Sequence, residues 1–215
     1  MENCDSISAP LPPNLHLQKD MDKPLVDPSV YRQLVGKLNF LIHTRPDLAF
    51  SIQFLSQFSQ NPCDAQYSAA LHVLKYLKGT TSQGIFLNNK PEFGLEAYCD
   101  SDWAACPITR RSVSGFFILF GGTPLSWKSK KQVIVSLSSA EAQYRSIAKN
   151  PVFHKRTKPI ELDCHFVREK LQAGLISLSH VSTHDQLADM LTKSLPGSRH
   201  KEAVFKLRIS PYPPA

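Results

Sequence analysis

Residues 98–120, YCDSDWAACPITRRSVSGFFILF, decide how this chain is read. The stretch opens with two carboxylates, Asp100 and Asp102, on a run with strand character. Residues two apart on a strand share a face. After a polar, basic turn comes a second strand, VSGFFILF, which is almost wholly apolar. A strand that carries acids at one end and lies beside an apolar strand is either an ordinary polar edge or one corner of a metal site. The rest of the chain has to supply the other corners.

Working outward, GIFL, LEAYCDSD, VSGFFILF, PLSWKS and QVIVSLS are short β-branched or aromatic runs. NNK at 88–90 and GG at 121–122 are turn signals between them, which predicts an antiparallel meander. SLSSAEAQYRSIAK then changes to helical period. Ser138 and Glu141 have capping-box spacing at its start. Downstream the pattern predicts a helix near 160–172 with Leu162, Phe166 and Leu171, a short alternating strand LISLSHV, and a last helix, HDQLADMLTKSL. That helix sets Leu187, Met190, Leu191 and Leu195 on one face.

Upstream of residue 84 the period is helical. Tyr31, Leu34, Val35, Leu38 and Leu41 recur at that spacing, with Ser29 as the cap. Pro46 breaks the pattern. Leu48, Ile52 and Leu55 mark a second helix, and Ala70, Leu71, Leu74 and Leu77 a third that stops near Gly79. The expected organisation is a flexible lead over 1–28, a three-helix block over 29–82, a mixed α+β unit over 84–208, and a proline-rich disordered tail over 209–215.

The chain has 215 residues, 42% of them hydrophobic, which is enough for a core. Its net charge of +7 suits a polyanionic partner such as nucleic acid, although many proteins of this size carry such an excess without one. The scattered cysteines (Cys4, Cys63, Cys99, Cys106, Cys164) have no zinc or disulfide spacing. They fit a reducing cytosolic or nuclear compartment. The start has no signal-peptide pattern, and no apolar run approaches the ~20 residues of a membrane span. There is no GxSxG elbow and no phosphate-cradling glycine loop.

Several motifs in a fixed order carry a resemblance. YRQLVGKLNFLIHTRPDLAFSIQFLSQFSQNP and YSAALHVLKYLKGT resemble the end of the reverse transcriptase region in copia-type LTR retrotransposon Pol polyproteins. YCDSDWA, TRRSVSGFFILFGGTPLSWKSKKQ, SLSSAEAQYRSIA, NPVFHKRTKPIELDCHFVREKL and QLADMLTKSLPG resemble the ribonuclease H domain that follows it. The resemblance implies a ribonuclease H-like mixed sheet flanked by helices. It also implies Mg²⁺-dependent hydrolysis of RNA in RNA–DNA hybrids. Polymerase activity is not implied, because the match begins after the polymerase palm.

That chemistry uses two divalent ions ~3.5–4 Å apart to activate water and neutralise the leaving oxygen, held by hard oxygen ligands. The resemblance makes Asp100 the first carboxylate and Asp189, in QLADMLTK, the one on the final helix. Asp102 is either an outer helper or a surface acid. The family motif at the fourth helix is E-x-E-Y, whereas this chain has Glu141-Ala142-Gln143-Tyr144. Positions two apart on a helix face different sides. Either Glu141 is the metal ligand, or position 143 is and the ligand here is a neutral amide; both stay open, and Glu141 also reads as a capping partner.

One corner is absent. In the family, a strand that ends in an Asp-Asn pair lies between YRSIA and NPVFH, whereas here Lys149 runs into Asn150. The sheet should therefore lack its fourth strand, and the quartet its third Asp; Asp163 falls on a later predicted helix and is a poor substitute. The expected function is a ribonuclease H-like domain with impaired or lost activity, or alternatively a basic nucleic-acid-binding remnant. Lys128, Lys130 and Lys131 are the candidate phosphate contacts, with Lys155, Arg156 and Lys158 as a second basic group.

Overall fold

The computed structural model describes residues 5–87, 93–148 and 167–211. The Lys149–Asn150 junction, Lys155, Arg156, Lys158, Leu162, Asp163, Phe166 and the end of the tail lie outside the described residues. The fold is mixed α+β, as the sequence periods predict.

The first part is helical. α1 (Pro28–Leu41) buries Tyr31, Val35 and Leu38. Its cap is Asp27 rather than Ser29: the Asp27 carboxylate accepts from Ser29 N at 2.8 Å. Pro28 at the first helical position explains the shift, since its fixed φ and missing N–H suit that place. A 3-10 turn, Pro46–Leu48, leads into α2 (Ala49–Ser56), and α3 spans Asp64–Gly79. The three helices close a core around Tyr31, Leu38, Ile52, Leu55 and Val73.

The lead is not a free arm. Leu11 and Leu17 are buried in the helical core, and the Gln66 side chain donates to Gln18 O at 2.6 Å. A Cβ on Gly79 would stand 2.7 Å from Ser6 Cβ, so glycine there lets the lead lie against the end of α3. The proline-marked composition suggested flexibility, but two leucines are enough to anchor the segment.

The second part is a sheet. β1 (Gly84–Ile85) does not join the meander; it pairs antiparallel with β5 (Ile209–Ser210). β2 (Leu95–Asp102), β3 (Val113–Phe120) and β4 (Thr123–Lys131) form an antiparallel sheet in that order. Gly121 and Gly122, at φ 55° and 71°, make the two-residue turn between β3 and β4. Turns of this hand match the strand twist and favour glycine. β3 is the central strand, and most of its residues are buried.

QVIVSLS does not form a strand. Gln132 ends the ladder instead: its amide donates to Ser101 Oγ, Ser114 Oγ and Ala142 O, and its oxygen accepts from Ser136. The chain then turns into α4 (Ser139–Ala148) and leaves Val133, Ile134 and Leu137 exposed. The LISLSHV stretch is also irregular. It pairs with none of the described strands. The described residues of α5 are 167–172.

The last predicted helix is shorter than its periodicity suggested. Leu187–Leu191 is a 3-10 turn capped by Gln186. Pro196 separates it from α6 (Gly197–Lys206), a helix that the sequence reading did not anticipate. The 3-10 turn and α6 pack Leu187, Leu191, Leu195, Val204 and Leu207 under Phe117 and Leu119 of β3.

The two parts are joined by polar contacts. Trp127 Nε1 donates to Ile42 O at 2.7 Å. Arg45 and Asp47 form a two-pronged ion pair at 2.9 and 2.7 Å, and Tyr76 OH donates to Asp47 Oδ2 at 2.8 Å. His200 of α6 meets that hydroxyl at 3.1 Å. No helix among the described residues is long and apolar enough to cross a membrane.

Candidate functional site

Strand register fixes which way the acids point. Asp100 lies opposite Gly115 and Asp102 opposite Val113. Directly opposed residues share a face, so both carboxylates point to the side of the sheet on which the 3-10 turn packs. Gly115 makes that approach possible. A Cβ there would lie 2.7 Å from Leu191 Cβ, 3.0 Å from Thr192 Cγ2 and 3.1 Å from Ala188 O. Glycine therefore lets the Leu187–Leu191 turn settle onto the strand and carry Asp189 and Thr192 to Asp100.

Asp100 and Asp189 are thus brought together, with Asp102 beside them. Thr192 Oγ1 donates to Asp100 Oδ2 at 2.5 Å and also to Asp189 O at 3.1 Å. Asp189 is nearly inaccessible. Its Oδ2 accepts no well-directed hydrogen bond, but Lys193 Nζ lies 3.0 Å away and Arg199 3.7 Å away, so its contacts are ionic. Burial pushes the Asp189 carboxyl up; Lys193 opposes this and the Asp100 charge adds to it. Asp102 is also raised, first by burial, with Lys193 opposing and Asp100 and Asp189 adding. Burial is the main cause of both shifts, and the neighbouring carboxylates add to it.

Glu141 is not part of this group. Its Oε2 accepts from Leu137 N at 2.9 Å, its own N–H donates to Ser138 Oγ at 3.1 Å, and its Oε1 pairs with the buried Arg145 at 3.1 Å. Ser138 caps the helix as the spacing suggested, and the Glu141 carboxylate reaches back past it to Leu137 N. Gln143, two residues on, reaches the acidic strand: its Nε2 donates to Cys99 O at 2.9 Å. Gln186 donates to the same carbonyl at 3.2 Å, and Ser146 Oγ donates to Asp100 O at 2.8 Å. β2 is the outer described strand of the sheet, so the two amides cover the outward Cys99 carbonyl, whereas Ser146 Oγ, which also reaches Gly115 O at 3.2 Å, sits over the ladder between β2 and β3. The sequence motif could have pointed to Gln186 and Ser146 only if the missing strand had been replaced in thought by side chains.

The side chains present do not fit a pair of divalent ions. Asp100 and Asp189 are already bound to Thr192, Lys193 and Arg199, and the α4 residue turned to β2 is a neutral amide. Among the described residues, no group of three or more His, Cys, Asp or Glu side chains is arranged to hold a metal.

The basic strand is divided by its pleat. Lys128 and Lys130 are exposed, on alternate positions of β4. Lys131 points to the other face and is engaged: its Nζ lies 2.9 Å from Gln57 Oε1 and 2.8 Å from Cys106 Sγ. Burial pushes the Cys106 thiol up, but the donors Lys131, Thr109 and Ile108 outweigh it and bring the thiol down to about 7.

Comparison with known proteins gives the lineage. The chain is 36% identical over 252 aligned positions to the Retrovirus-related Pol polyprotein from transposon RE1 of Arabidopsis thaliana, and 37% identical to that from transposon RE2. Both matches cover all of this chain. It belongs to the copia-type transposon Pol polyproteins. The chain spans 17% of the length of these two relatives. It is also 40% identical to the Secreted RxLR effector protein 161 of Plasmopara viticola, over 55% of this chain and 84% of that protein. The 252 aligned positions exceed the 215 residues of the chain by 37, so at least that many positions of the alignment with the RE1 polyprotein have no residue of this chain opposite them. No family model matches the chain, and no solved structure does.

Proposed function

We propose that this chain is a retrotransposon-derived ribonuclease H-like domain whose ancestral Mg²⁺-dependent hydrolysis of RNA in RNA–DNA hybrids is lost or severely impaired. The observation that carries the reading is the exchange on α4. Gln143 faces the acidic strand through Cys99 O, while both oxygens of Glu141 are taken by Leu137 N and Arg145. A neutral amide cannot supply the charge that a hard divalent ion needs. The positions missing relative to the Pol relatives add to this, and we place them at Lys149–Asn150, where the family's strand and third Asp would lie. The test is incubation of purified chain with a labelled RNA–DNA hybrid, with and without Mg²⁺. No cleavage above background is expected. Robust Mg²⁺-dependent turnover that Asp100→Asn abolishes would refute the proposal.

A second reading, a residual nucleic-acid binder, is favoured by the exposed Lys128 and Lys130 on one face of β4 and the net charge of +7. Contacts of this kind neutralise phosphates and release counterions, so affinity should fall steeply with salt. Lys128→Glu together with Lys130→Glu should weaken hybrid binding and flatten its salt slope. Unchanged binding and slope would remove this reading.

A further inference from the structure

We propose that the cavity between the lead, α2 and the β2–β3 connection is a binding site for a flat aromatic molecule that carries one acidic group. The cavity measures about 530 Å³, within the roughly 300–1,000 Å³ of small-molecule sites. Leu11 and Leu15 of the lead, Phe50 and Phe54 of α2, and Pro107 and Ile108 of the connection supply its apolar walls. Each wall is held by bonds made elsewhere, so the space does not depend on an occupant. Ser194 Oγ donates to Pro13 O at 3.1 Å and fixes the lead. Cys106 N donates to Arg111 O at 3.1 Å, and Arg110 N to Cys106 O at 2.8 Å, which closes the connection on itself. Lys131 ties that connection to the end of α2, through Cys106 Sγ on one side and Gln57 Oε1 on the other. A site formed in advance loses little freedom when it binds.

Rings and charges together select the occupant. Phe50 and Phe54 are stacked, with centroids 6.0 Å apart and planes at 8°, and Phe58 stands edge-on to Phe54 at 5.7 Å and 85°. A flat ring therefore finds both faces and edges to pack against. Lys19, Lys131, Lys193 and His16 line the cavity against one acid, Asp102. Lys193 already answers to Asp189 at 3.0 Å. The partners of Lys131 among the described residues are an amide oxygen and a sulfur, and neither is a carboxylate. An ammonium has three N–H groups, so Lys131 keeps one for an occupant. A carboxylate on the ring supplies the missing counter-charge, and hydrogen bonds between ionised groups are the stronger kind. A neutral ring of the same shape would fill the walls and leave that charge unanswered.

Naphthalene-2-carboxylate, with 2-naphthamide as the uncharged probe of the same shape, tests this by isothermal titration calorimetry on the full chain at pH 6. At that pH the Cys106 thiol, brought down to about 7, is mostly protonated and leaves Lys131 to the ligand. One carboxylate should bind per chain with a Kd below about 1 mM, and the amide at least about fivefold more weakly. Lys131→Gln should abolish the preference for the acid. Ile108 is 61% exposed on the rim, so Ile108→Glu should leave Tm unchanged and weaken the acid at least about tenfold. Alkylation of Cys106 by iodoacetamide at pH 7, read by peptide mass spectrometry, reports the place: saturating carboxylate should slow it in the unaltered chain. The proposal is overturned by no binding up to about 1 mM, by equal binding of acid and amide, or by binding that Ile108→Glu leaves unchanged. It is also overturned if Cys106 is alkylated at the same rate when calorimetric binding is saturated. Where Lys131→Gln does not fold, the acid–amide difference in the unaltered chain and Ile108→Glu decide.

Discussion

Replacing Asp47 by asparagine keeps the side-chain shape and removes one charge from the most enclosed ion pair among the described residues. The Asp47 side chain is 0% exposed and that of Arg45 7%. Arg45 uses two prongs on the carboxylate and two further N–H groups on Thr80 O and Oγ1 at 3.0 and 2.9 Å. With asparagine, one prong meets an N–H₂ group instead of an oxygen, and the guanidinium is left buried without its counter-charge. Removing one partner of such a pair costs about 3–5 kcal/mol, against a net stability of ~5–15 kcal/mol for a domain. Tyr76→Phe is the control. It deletes the hydroxyl's contacts with the Asp47 carboxylate and with His200 but leaves the charges paired, and should cost only about 1.5–3 kcal/mol. Urea unfolding followed by far-ultraviolet circular dichroism reports mainly the helices, while fluorescence of Trp103 and Trp127 reports the sheet. Because His200 of α6 rests on Tyr76, both signals should shift together. A loss below about 1 kcal/mol for Asp47→Asn, or one confined to the helical signal, would refute the reasoning.

Gly115→Ala should push Leu191 and Thr192 off the strand and cost about 1–3 kcal/mol, read as a lowered midpoint in urea. His200 is buried, which lowers it from 6.5 to about 4. A base that is more acidic when folded takes up its proton preferentially in the unfolded chain, so stability is full above about 6.5, falls as pH drops towards 4 and then levels off. The loss should total about 3 kcal/mol, and His200→Gln should remove this part of the pH dependence in unfolding curves at pH 7, 5 and 4. Cys106 should react with a small aromatic disulfide with a midpoint near pH 7, and Lys131→Met should move that midpoint upward.

The parts legible in the sequence are those where local pattern and burial agree. The stripe Tyr31–Val35–Leu38 is a helix, VSGFFILF is a central strand, and Ser138 with Glu141 is a cap. The parts that escaped depend on partners distant in sequence. QVIVSLS has strand composition, but Gln132 satisfies the ladder with its side chain and diverts the chain. LISLSHV alternates as a strand does but has no described strand to pair with. α6 carries few apolar residues, and its anchor is a histidine whose partner lies 124 residues away. At the site, the acids on β2 were readable because two-residue alternation fixes a face. The choice between Glu141 and Gln143 was not, because it turns on which side of α4 meets the sheet.

The outer border of β2 is treated unequally along its length. At Cys99, two amides seal the outward main-chain oxygen. At the other end, Leu95 is 52% exposed and Phe93 just before it 81%. A ribbon margin that is plugged at one end and greasy at the other gives sister molecules a place to stick. Preparations at high concentration should therefore thicken or cloud from this corner first, and a charged residue in place of Leu95 is the simplest way to keep them clear.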